Sequence, residues 1–259
     1  MGNYETIRID KNNHILTIVL NRPEAYNALT PEMNREMTTA FKQAEKDEDV
    51  RCIVLTGEGK AFSAGQDIKS VEPNMDFGDF LQKNYHPLVK TIQSVTKPTV
   101  AAVNGVAAGA GMSLALATDY RIVKAESRFV SAFLGIALVP DAGFMYILPR
   151  LVGYAKALEI ITIGAPINGE EAVQLGLASE MIDVDEWDTG VERFANKLAA
   201  LPPKAFSLVK RYMLDSMHTP FERFLEQEAE AQRIAGLTED HQEGIKAFLE
   251  KRTPKFTGK

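Results

Sequence analysis

The stretch Thr99-Val-Ala-Ala-Val-Asn-Gly-Val-Ala-Ala-Gly-Ala-Gly-Met112, continued by Ser113-Leu-Ala-Leu-Ala117, decides how the chain folds. It begins with a β-rich apolar run, passes through a loop of glycine and alanine, and becomes apolar again. This order predicts a strand, a tight turn and the start of a helix. Because small side chains let a ligand oxygen approach unpaired N–H groups at a helix start, the loop favours binding of a developing oxyanion.

The glycine-alanine loop has two other possible roles, which are close packing of a helix on a sheet and binding of a nucleotide phosphate. Small residues also allow a helix to pack tightly on a sheet, with no ligand involved. Gly105, Gly109 and Gly111 do not have the G-x-G-x-x-G spacing, and no lysine follows them as in a P-loop. Cradling of a nucleotide phosphate is therefore disfavoured.

Composition excludes several classes of function. The chain has 259 residues, of which 45% are apolar and 25% charged, with a net charge of −6. Lysines are interspersed with acids, so we expect no nucleic-acid partner. No apolar run reaches the roughly 18 residues that span a bilayer, so we expect no membrane partner. The chain has four histidines, His14, His86, His218 and His241, and they do not have the spacing of metal ligands. We therefore predict no metal site.

A single cysteine, Cys52, lies in an apolar run and excludes an internal disulfide. The N-terminus lacks the apolar core of a signal peptide. Both features fit a reducing compartment, and we expect a cytoplasmic protein.

Strand and helix patterns alternate up to residue 186 and then become entirely helical. Residues 7–10 and 14–20 predict a hairpin, Thr30-Pro31 a helix start, and residues 80–95 one helix. Strand, strand, helix units then recur at roughly forty-residue intervals. We therefore predict an α/β core at 1–186 and a helical subdomain at 187–259.

A second informative loop is Ala61-Phe-Ser-Ala-Gly-Gln-Asp-Ile68, where a strand ends and backbone donors stay available to a ligand. Residues 71–78, which follow it, show no periodicity and predict a mobile loop.

Five motifs, in this order and spacing, resemble those of the crotonase (enoyl-CoA hydratase/isomerase) superfamily over essentially the whole chain. They are Asn21-Arg-Pro-Glu-Ala-Tyr-Asn-Ala-Leu29, Ala61-Phe-Ser-Ala-Gly-Gln-Asp-Ile68, Lys97-Pro-Thr-Val-Ala-Ala-Val-Asn-Gly105, Gly109-Ala-Gly111 and Leu148-Pro-Arg-Leu-Val-Gly153. The resemblance implies a ClpP-like spiral of ββα units with a helical C-terminal trimerisation subdomain. It also implies an acyl-CoA thioester substrate, no cofactor besides the coenzyme A of that substrate, and a homotrimer or dimer of trimers.

The resemblance further implies an oxyanion hole of two backbone N–H groups, which fall here on Gln66 and Ala110. Each such donor typically contributes about 2.7–4 kcal/mol to catalysis. Residues implied in substrate binding are Arg22, Ala25, Ala64, Asp67, Ile68, His86, Gly109 and Phe133. The family's first loop, near Arg22, Glu24 and Ala25, implies contacts to adenine and phosphate, with Lys246 or a neighbouring subunit's basic tail a further candidate. That tail, with Arg252 and Lys255, is either solvated or in contact with an anion.

The acids distinguish among the family's reactions. Hydratases carry two glutamates, because adding water across a double bond needs a base for the water and an acid for the α-carbon. Those two positions hold Ser113 and Phe133 here. Instead Asp141 lies in Val139-Pro-Asp-Ala-Gly143, and resembles the single acid of the branch that includes 1,2-epoxyphenylacetyl-CoA isomerases.

One carboxylate beside a stabilised enolate can move a proton from one carbon to another, so the sequence favours an acyl-CoA isomerase. The apolar neighbours of Asp141 would raise its pKa by desolvation. The alternative for Asp141 itself is a helix N-cap, because a helical pattern follows it.

Three alternative functions remain open. The first is a hydratase. The second is a 4-chlorobenzoyl-CoA dehalogenase-like enzyme, in which His86 and Asp141 would act, although that enzyme has tryptophan where this chain has Phe133. The third is a protein that binds acyl-CoA or RNA without turnover.

Overall fold

The computed structural model describes residues 4–70 and 74–259, which form two sheets and a set of surrounding helices. In chain order the strands are β1 (Ile7–Asn12), β2 (Ile15–Leu20), β3 (Cys52–Gly57), β4 (Ala61–Ser63), β5 (Thr99–Val103), β6 (Val106–Ala108), β7 (Tyr120–Lys124), β8 (Arg128–Val130), β9 (Ile167–Asn168) and β10 (Glu180–Ile182). The helices are α1 (Pro31–Lys46), α2 (Phe77–Asn84), α3 (His86–Ser94), α4 (Ala110–Leu116), α5 (Phe144–Val152), α6 (Tyr154–Ile163), α7 (Gly169–Gln174), α8 (Trp187–Ala199), α9 (Pro203–Ser216), α10 (Phe221–Gly236) and α11 (Glu239–Glu250).

From β3 to β8, successive strands alternate between the two sheets. The larger sheet has the order β1-β2-β3-β5-β7-β10, and the smaller has the order β4-β6-β8-β9. The first hairpin and the β8–β9 pair are antiparallel, whereas the other pairs are parallel. Each ββα unit therefore adds one strand to each sheet before its helix returns. This arrangement confirms the predicted α/β spiral and the predicted hairpin.

The glycine-alanine loop contains an element that the sequence did not reveal. Between β5 and α4 the chain forms β6, which pairs in parallel with both β4 and β8. A run of only three residues is too short to show a period of two. The predicted single turn is therefore a turn, a short strand and a second turn.

The main core lies between the sheets and the inner helices. Fully buried side chains from several elements meet there, including Leu20, Phe41, Leu55, Phe62 and Met112. A second apolar cluster covers the opposite face of the larger sheet, where α8 packs on side chains of β3 and β5. Cys52 belongs to this second cluster, and its burial raises the pKa of the thiol to about 12.

The prediction of one continuous helix over residues 80–95 is wrong, because two helices occupy this segment. α2 ends at Asn84 and α3 begins at His86. Pro87 has no N–H group to continue the hydrogen bonds of α2, and it suits the first turn of a new helix instead. Tyr85 lies at the junction and is buried. Of the predicted loop at 71–78, residues 71–73 lie outside the described residues and residues 77–78 already belong to α2.

The last three helices bury few apolar side chains, among them Leu208 on α9 and Ala247 on α11, and they also make polar contacts. Lys210 Nζ on α9 lies 2.8 Å from Asp119 Oδ2, between α4 and β7. α10 contributes no buried side chain. The C-terminal residues fold back on α11, where the Asp240 carboxylate accepts hydrogen bonds from Thr257 N and Gly258 N. The domain boundary at residue 186 stays a prediction.

No helix within residues 4–70 and 74–259 combines the length and the apolar composition needed to cross a membrane.

Candidate active site

Two loops meet at one edge of the smaller sheet, because β4 and β6 are parallel neighbours and end side by side. Gly65 follows β4 with φ of +93°, and a Cβ there would lie 2.7 Å from Ala108 O and 3.4 Å from Ala110 N. Glycine is therefore required both for the backbone conformation and for the close approach of the loops. The structure thus brings together the segments that carry Gln66 and Ala110.

The Ala110 N–H lies at the first residue of α4, where it has no acceptor within the helix. Gly109 precedes it with φ of +50° and ψ of −123°, and the Gly109 N–H bonds to Val130 O at 2.9 Å. This bond fixes the turn at Gly109, and the Ala110 N–H that follows does not take part in it. Ala110 is largely shielded from solvent, since it is only 4% exposed.

The Gln66 backbone is fixed by a parallel bridge to Leu29. Leu29 N donates to Gly65 O at 2.7 Å, and Asp67 N donates to Leu29 O at 2.9 Å. In a parallel bridge of this kind the middle residue directs its own N–H away from the partner. The Gln66 N–H therefore points away from Leu29.

Asp141 lies on the turn between β8 and α5. Its carboxylate atom Oδ1 is buried and has no hydrogen-bond partner among the described residues. Burial raises the pKa of this carboxyl to about 6, although the Asp141 N–H opposes part of the rise. The turn packs on α3, since a Cβ on Gly143 would lie 3.5 Å from Val89 Cγ1. The helix N-cap is Gly143, so Asp141 does not cap α5 with its side chain.

Tyr85 connects Asp141 to the Gln66 loop. Its hydroxyl donates to Gln66 Oε1 at 2.5 Å. Burial and then the charge of Asp141 raise the pKa of Tyr85. The buried Asn34 amide lies near enough to this hydroxyl to oppose the rise, yet its Nδ2 and Oδ1 make no hydrogen bond of good geometry. The sequence showed Tyr85 only as an inward-facing residue, and nothing in its pattern marked Asn34.

The first loop brings two predicted substrate-binding residues together. Arg22 Nη2 lies 3.0 Å from Asp67 Oδ2, and Arg22 Nη1 donates to Ala28 O at 2.6 Å. Buried Asn27 holds this loop against β4: its side-chain amide donates to Ala61 O, and its backbone carbonyl accepts a hydrogen bond from the Ser63 hydroxyl. Sequence reasoning assigned no role to Asn27, although it lies within the first family-like motif, residues 21–29.

The two positions that would hold hydratase glutamates are both buried. Ser113 is fully buried within α4, where its hydroxyl donates to Gly109 O at 3.3 Å. Phe133 packs edge-on against Phe144, with ring centroids 5.5 Å apart. Phe133 therefore forms an apolar wall close to the Asp141 turn, and neither residue supplies a carboxylate.

The other predicted residues discussed next are exposed or half-buried. Ile68 is 71% exposed, and Ala64 is exposed on the same loop. His86 is half-buried at the start of α3. Lys246 is exposed on α11, and Arg252 of the basic tail pairs with Glu243 and Glu250. Within residues 4–70 and 74–259, no group of three or more His, Cys, Asp or Glu residues is placed to hold a metal ion.

Comparison with known proteins places this geometry in one family. Residues 10–259 match the model of the enoyl-CoA hydratase/isomerase family. A 1,2-epoxyphenylacetyl-CoA isomerase of Escherichia coli is 37% identical, with 95% of each chain covered. A probable enoyl-CoA hydratase of Rhodobacter capsulatus is 40% identical, with 99% of each chain covered. The crystal structure of an enoyl-CoA hydratase subunit from Geobacillus kaustophilus superposes with a TM-score of 0.93 at 32% identity, covering 100% of both chains.

The match extends over the whole described fold, and the relatives include enzymes named for isomerisation and for hydration. The predicted crotonase fold and family resemblance are thereby confirmed. The chain belongs to the enoyl-CoA hydratase/isomerase (crotonase) family of enzymes.

Proposed function

We propose that this enzyme is an acyl-CoA isomerase that uses Asp141 as its single proton shuttle. The observation that carries the proposal is a half-buried carboxyl whose Oδ1 has no hydrogen-bond partner among the described residues. Its charge acts on Tyr85, which bonds to the Gln66 loop, and both hydratase glutamates are replaced in this chain. A carboxyl with a pKa of about 6 is ionised at neutral pH and still basic enough to accept a carbon-bound proton. The substrate class is a coenzyme A thioester, and the reaction needs no further cofactor.

The proposed reaction follows from the chemistry of a β,γ-unsaturated thioester. The Asp141 carboxylate removes a proton from C2, and the electrons move onto the thioester oxygen to form a dienolate. The N–H groups of Gln66 and Ala110 donate to that oxygen. Protonated Asp141 then returns the proton to C4, which moves the double bond into conjugation with no change in mass.

The same residues suit a second isomerase substrate. The similarity to 1,2-epoxyphenylacetyl-CoA isomerase supports rearrangement of an epoxide on an aromatic acyl group. That reaction also needs a stabilised thioester and one base. Both substrates therefore belong to one proposal, and product analysis distinguishes them.

Hydration is the second candidate, because the Rhodobacter relative and the Geobacillus structure are both named for it. The burial of Ser113 and Phe133 opposes this candidate, since neither side chain can activate water in a second step. Dehalogenation is supported by the presence of His86 and Asp141 and opposed by Phe133, which stands where such enzymes have tryptophan. Binding without turnover is opposed by the presence of Asp141 together with both loop motifs.

The deciding experiment is a paired assay with a 3-enoyl-CoA and a 2-enoyl-CoA, following conjugation by absorbance and products by mass. We expect the 3-enoyl substrate to become the 2-enoyl product at constant mass, with loss of this activity in Asp141→Asn. Exposed Asp185→Asn is the matched control and should retain full activity. A comparable gain of one water by the 2-enoyl substrate would identify a hydratase, and an unchanged Asp141→Asn variant would exclude Asp141 as the shuttle.

Assembly into a trimer or a dimer of trimers is part of the same proposal. Large apolar side chains are exposed on the last helices, such as Met213, Phe221, Phe248 and Leu249. Where such side chains form one continuous patch, the patch typically marks a protein interface. Light scattering at several concentrations would test it, and a monomer at every concentration would contradict it.

A further inference from the structure

Tyr85 is a buried polar residue of the site to which the proposed chemistry assigns no role. It lies between α2 and α3, is 2% exposed, and donates its only hydroxyl proton to Gln66 Oε1. The other end of the same amide, Gln66 Nε2, donates to Asp67 O at 3.2 Å. The Gln66 side chain is therefore held at both of its polar atoms.

The direction of the Tyr85–Gln66 hydrogen bond is settled by the environment of the phenol. Burial and the nearby Asp141 charge both disfavour the phenolate. Tyr85 thus keeps its proton throughout the working pH range. Since Gln66 Oε1 can only accept, the tyrosine is always the donor.

The Gln66 side chain benefits from the hydrogen bond to Tyr85 because the chain passes from the packed interior to the exposed surface directly after this segment. Leu29 holds the backbone on one side through Gly65 and Asp67. Directly after these residues Ile68 is 71% exposed. A hydrogen-bond donor for an oxyanion must keep its position to within a fraction of an ångström to contribute fully.

We propose that Tyr85 is a positioning residue, which holds the Gln66 side chain so that the Gln66 N–H stays directed at the thioester oxygen. This inference rests on the proposed function of the Gln66 N–H. Tyr85 itself does not touch the reacting atoms. Its effect passes through the Gln66 amide, so removing either partner of the hydrogen bond has the same consequence.

The kinetic test is a double-mutant cycle with Tyr85→Phe and Gln66→Leu. Phenylalanine keeps the ring, and leucine at 66 keeps the backbone N–H but removes the acceptor. We expect kcat for the 3-enoyl substrate to fall about 10-fold in each single variant and about 10-fold in the double variant, with KM changed less than about twofold. Losses that multiply to about 100-fold in the double variant would show that the two residues act separately, and would overturn the inference.

A matched control is available far from the site. Tyr4 donates to Gln43 Oε1 at 3.0 Å, which is the same kind of tyrosine–glutamine pair near the N-terminus. Tyr4→Phe should leave kcat and KM unchanged. Thermal melts of all variants then separate loss of fold from loss of positioning.

A second readout does not depend on turnover. In a saturated acyl-CoA labelled with ¹³C at the thioester carbonyl, two N–H donors polarise the C=O bond and move its NMR resonance downfield on binding. We expect a clear downfield shift with the native enzyme and with Tyr4→Phe, and a smaller shift with Tyr85→Phe and with Gln66→Leu.

The outcomes separate this inference from the proposed function. A native carbonyl shift and native kcat in Tyr85→Phe would overturn the role of Tyr85 and leave the isomerase proposal intact. A carbonyl shift without isomerisation in the native enzyme would overturn the isomerase proposal and leave the positioning role standing on the variant shifts. The absence of any carbonyl shift in the native enzyme would overturn the oxyanion role of the Gln66 N–H and, with it, the positioning role of Tyr85.

Discussion

The Ala110 nitrogen lies 3.4 Å from the point that a Cβ on Gly65 would occupy, so the loop that carries Gly65 passes close to the loop that carries Ala110. Any larger side chain at 65 would also approach Ala108 O to 2.7 Å, at a φ of +93° that disfavours it further. The spacing of the two proposed donors therefore depends on this glycine.

Gly65→Ala should lower kcat/KM by about 10²-fold, because the loops must separate to admit the methyl group. The matched control is Gly236→Ala, at the end of α10, where a Cβ would meet nothing within 4 Å. Steady-state kinetics on both variants checks the prediction. Equal activity of the two would mean that loop spacing does not control catalysis.

The activity should fall as pH decreases through the pKa of Asp141, which is about 6. Below that pH the carboxyl is protonated and cannot act as a base, so kcat/KM at pH 5 should be about one tenth of its plateau. An acyl-pantetheine thioester is the suitable substrate, since it carries no titrating phosphate. A profile that is flat from pH 5 to 8 would contradict the assignment of Asp141 as base.

Asp141→Asn should stabilise the protein at neutral pH while it abolishes activity. The pKa of the native carboxyl is raised from 3.8 to about 6, so its contribution to stability is fully present below the unfolded value and is lost as pH rises through about 6. The variant should therefore gain about 1–3 kcal/mol in the free energy of unfolding at pH 7, and the gain should shrink toward pH 4. Urea unfolding at both pH values measures it, and a loss of stability at pH 7 would refute the burial argument.

Two buried asparagines should respond oppositely to substitution by leucine. Asn34 is 1% exposed and neither of its amide atoms has a hydrogen-bond partner among the described residues. Asn34→Leu should raise the free energy of unfolding by about 1 kcal/mol, because it removes an unsatisfied buried amide.

Asn27 is the matched comparison, since it is equally buried but donates to Glu58 O and Ala61 O. Asn27→Leu should lower the free energy of unfolding by about 2–4 kcal/mol, because it strands those carbonyl groups. Equal effects of the two substitutions in denaturant unfolding would show that hydrogen bonding is not what separates them.

Lys210→Met should detach α9 from the core. The Lys210 side chain is 9% exposed and its partner Asp119 also accepts hydrogen bonds from Thr99 N and Thr99 Oγ1. Losing this shielded partner should lower the free energy of unfolding by about 2–3 kcal/mol. Lys156→Met, which breaks an exposed pair with Glu159, should change it by less than about 0.5 kcal/mol. Similar melting temperatures for the two variants would contradict the prediction.

Several elements were predictable because their signals are local. The helix start at Thr30-Pro31 is confirmed by the bond from Met33 N to Thr30 Oγ1, and apolar spacing predicted the buried side of α1. The alternation of strand and helix patterns predicted recurring strand, strand, helix units, and the resemblance to the crotonase superfamily implied their spiral arrangement. Local sequence signals did not predict three features. β6 is too short to show a period, and the break between α2 and α3 at Tyr85 depends on one proline. Residues 77–78 lie in α2, although a loop was predicted there.

By itself the sequence determined which groups are present in the candidate site: two loops with small residues, one aspartate, and no glutamate at 113 or 133. Only the tertiary structure decided how they act on one another. The parallel pairing of β4 with β6 sets Ala110 against Gly65, and Asp141 Oδ1 is buried with no hydrogen-bond partner in residues 4–70 and 74–259. The bond from Tyr85 to Gln66 joins residues 19 positions apart. Such relationships depend on distance and desolvation, which arise only when separate segments of the chain pack together.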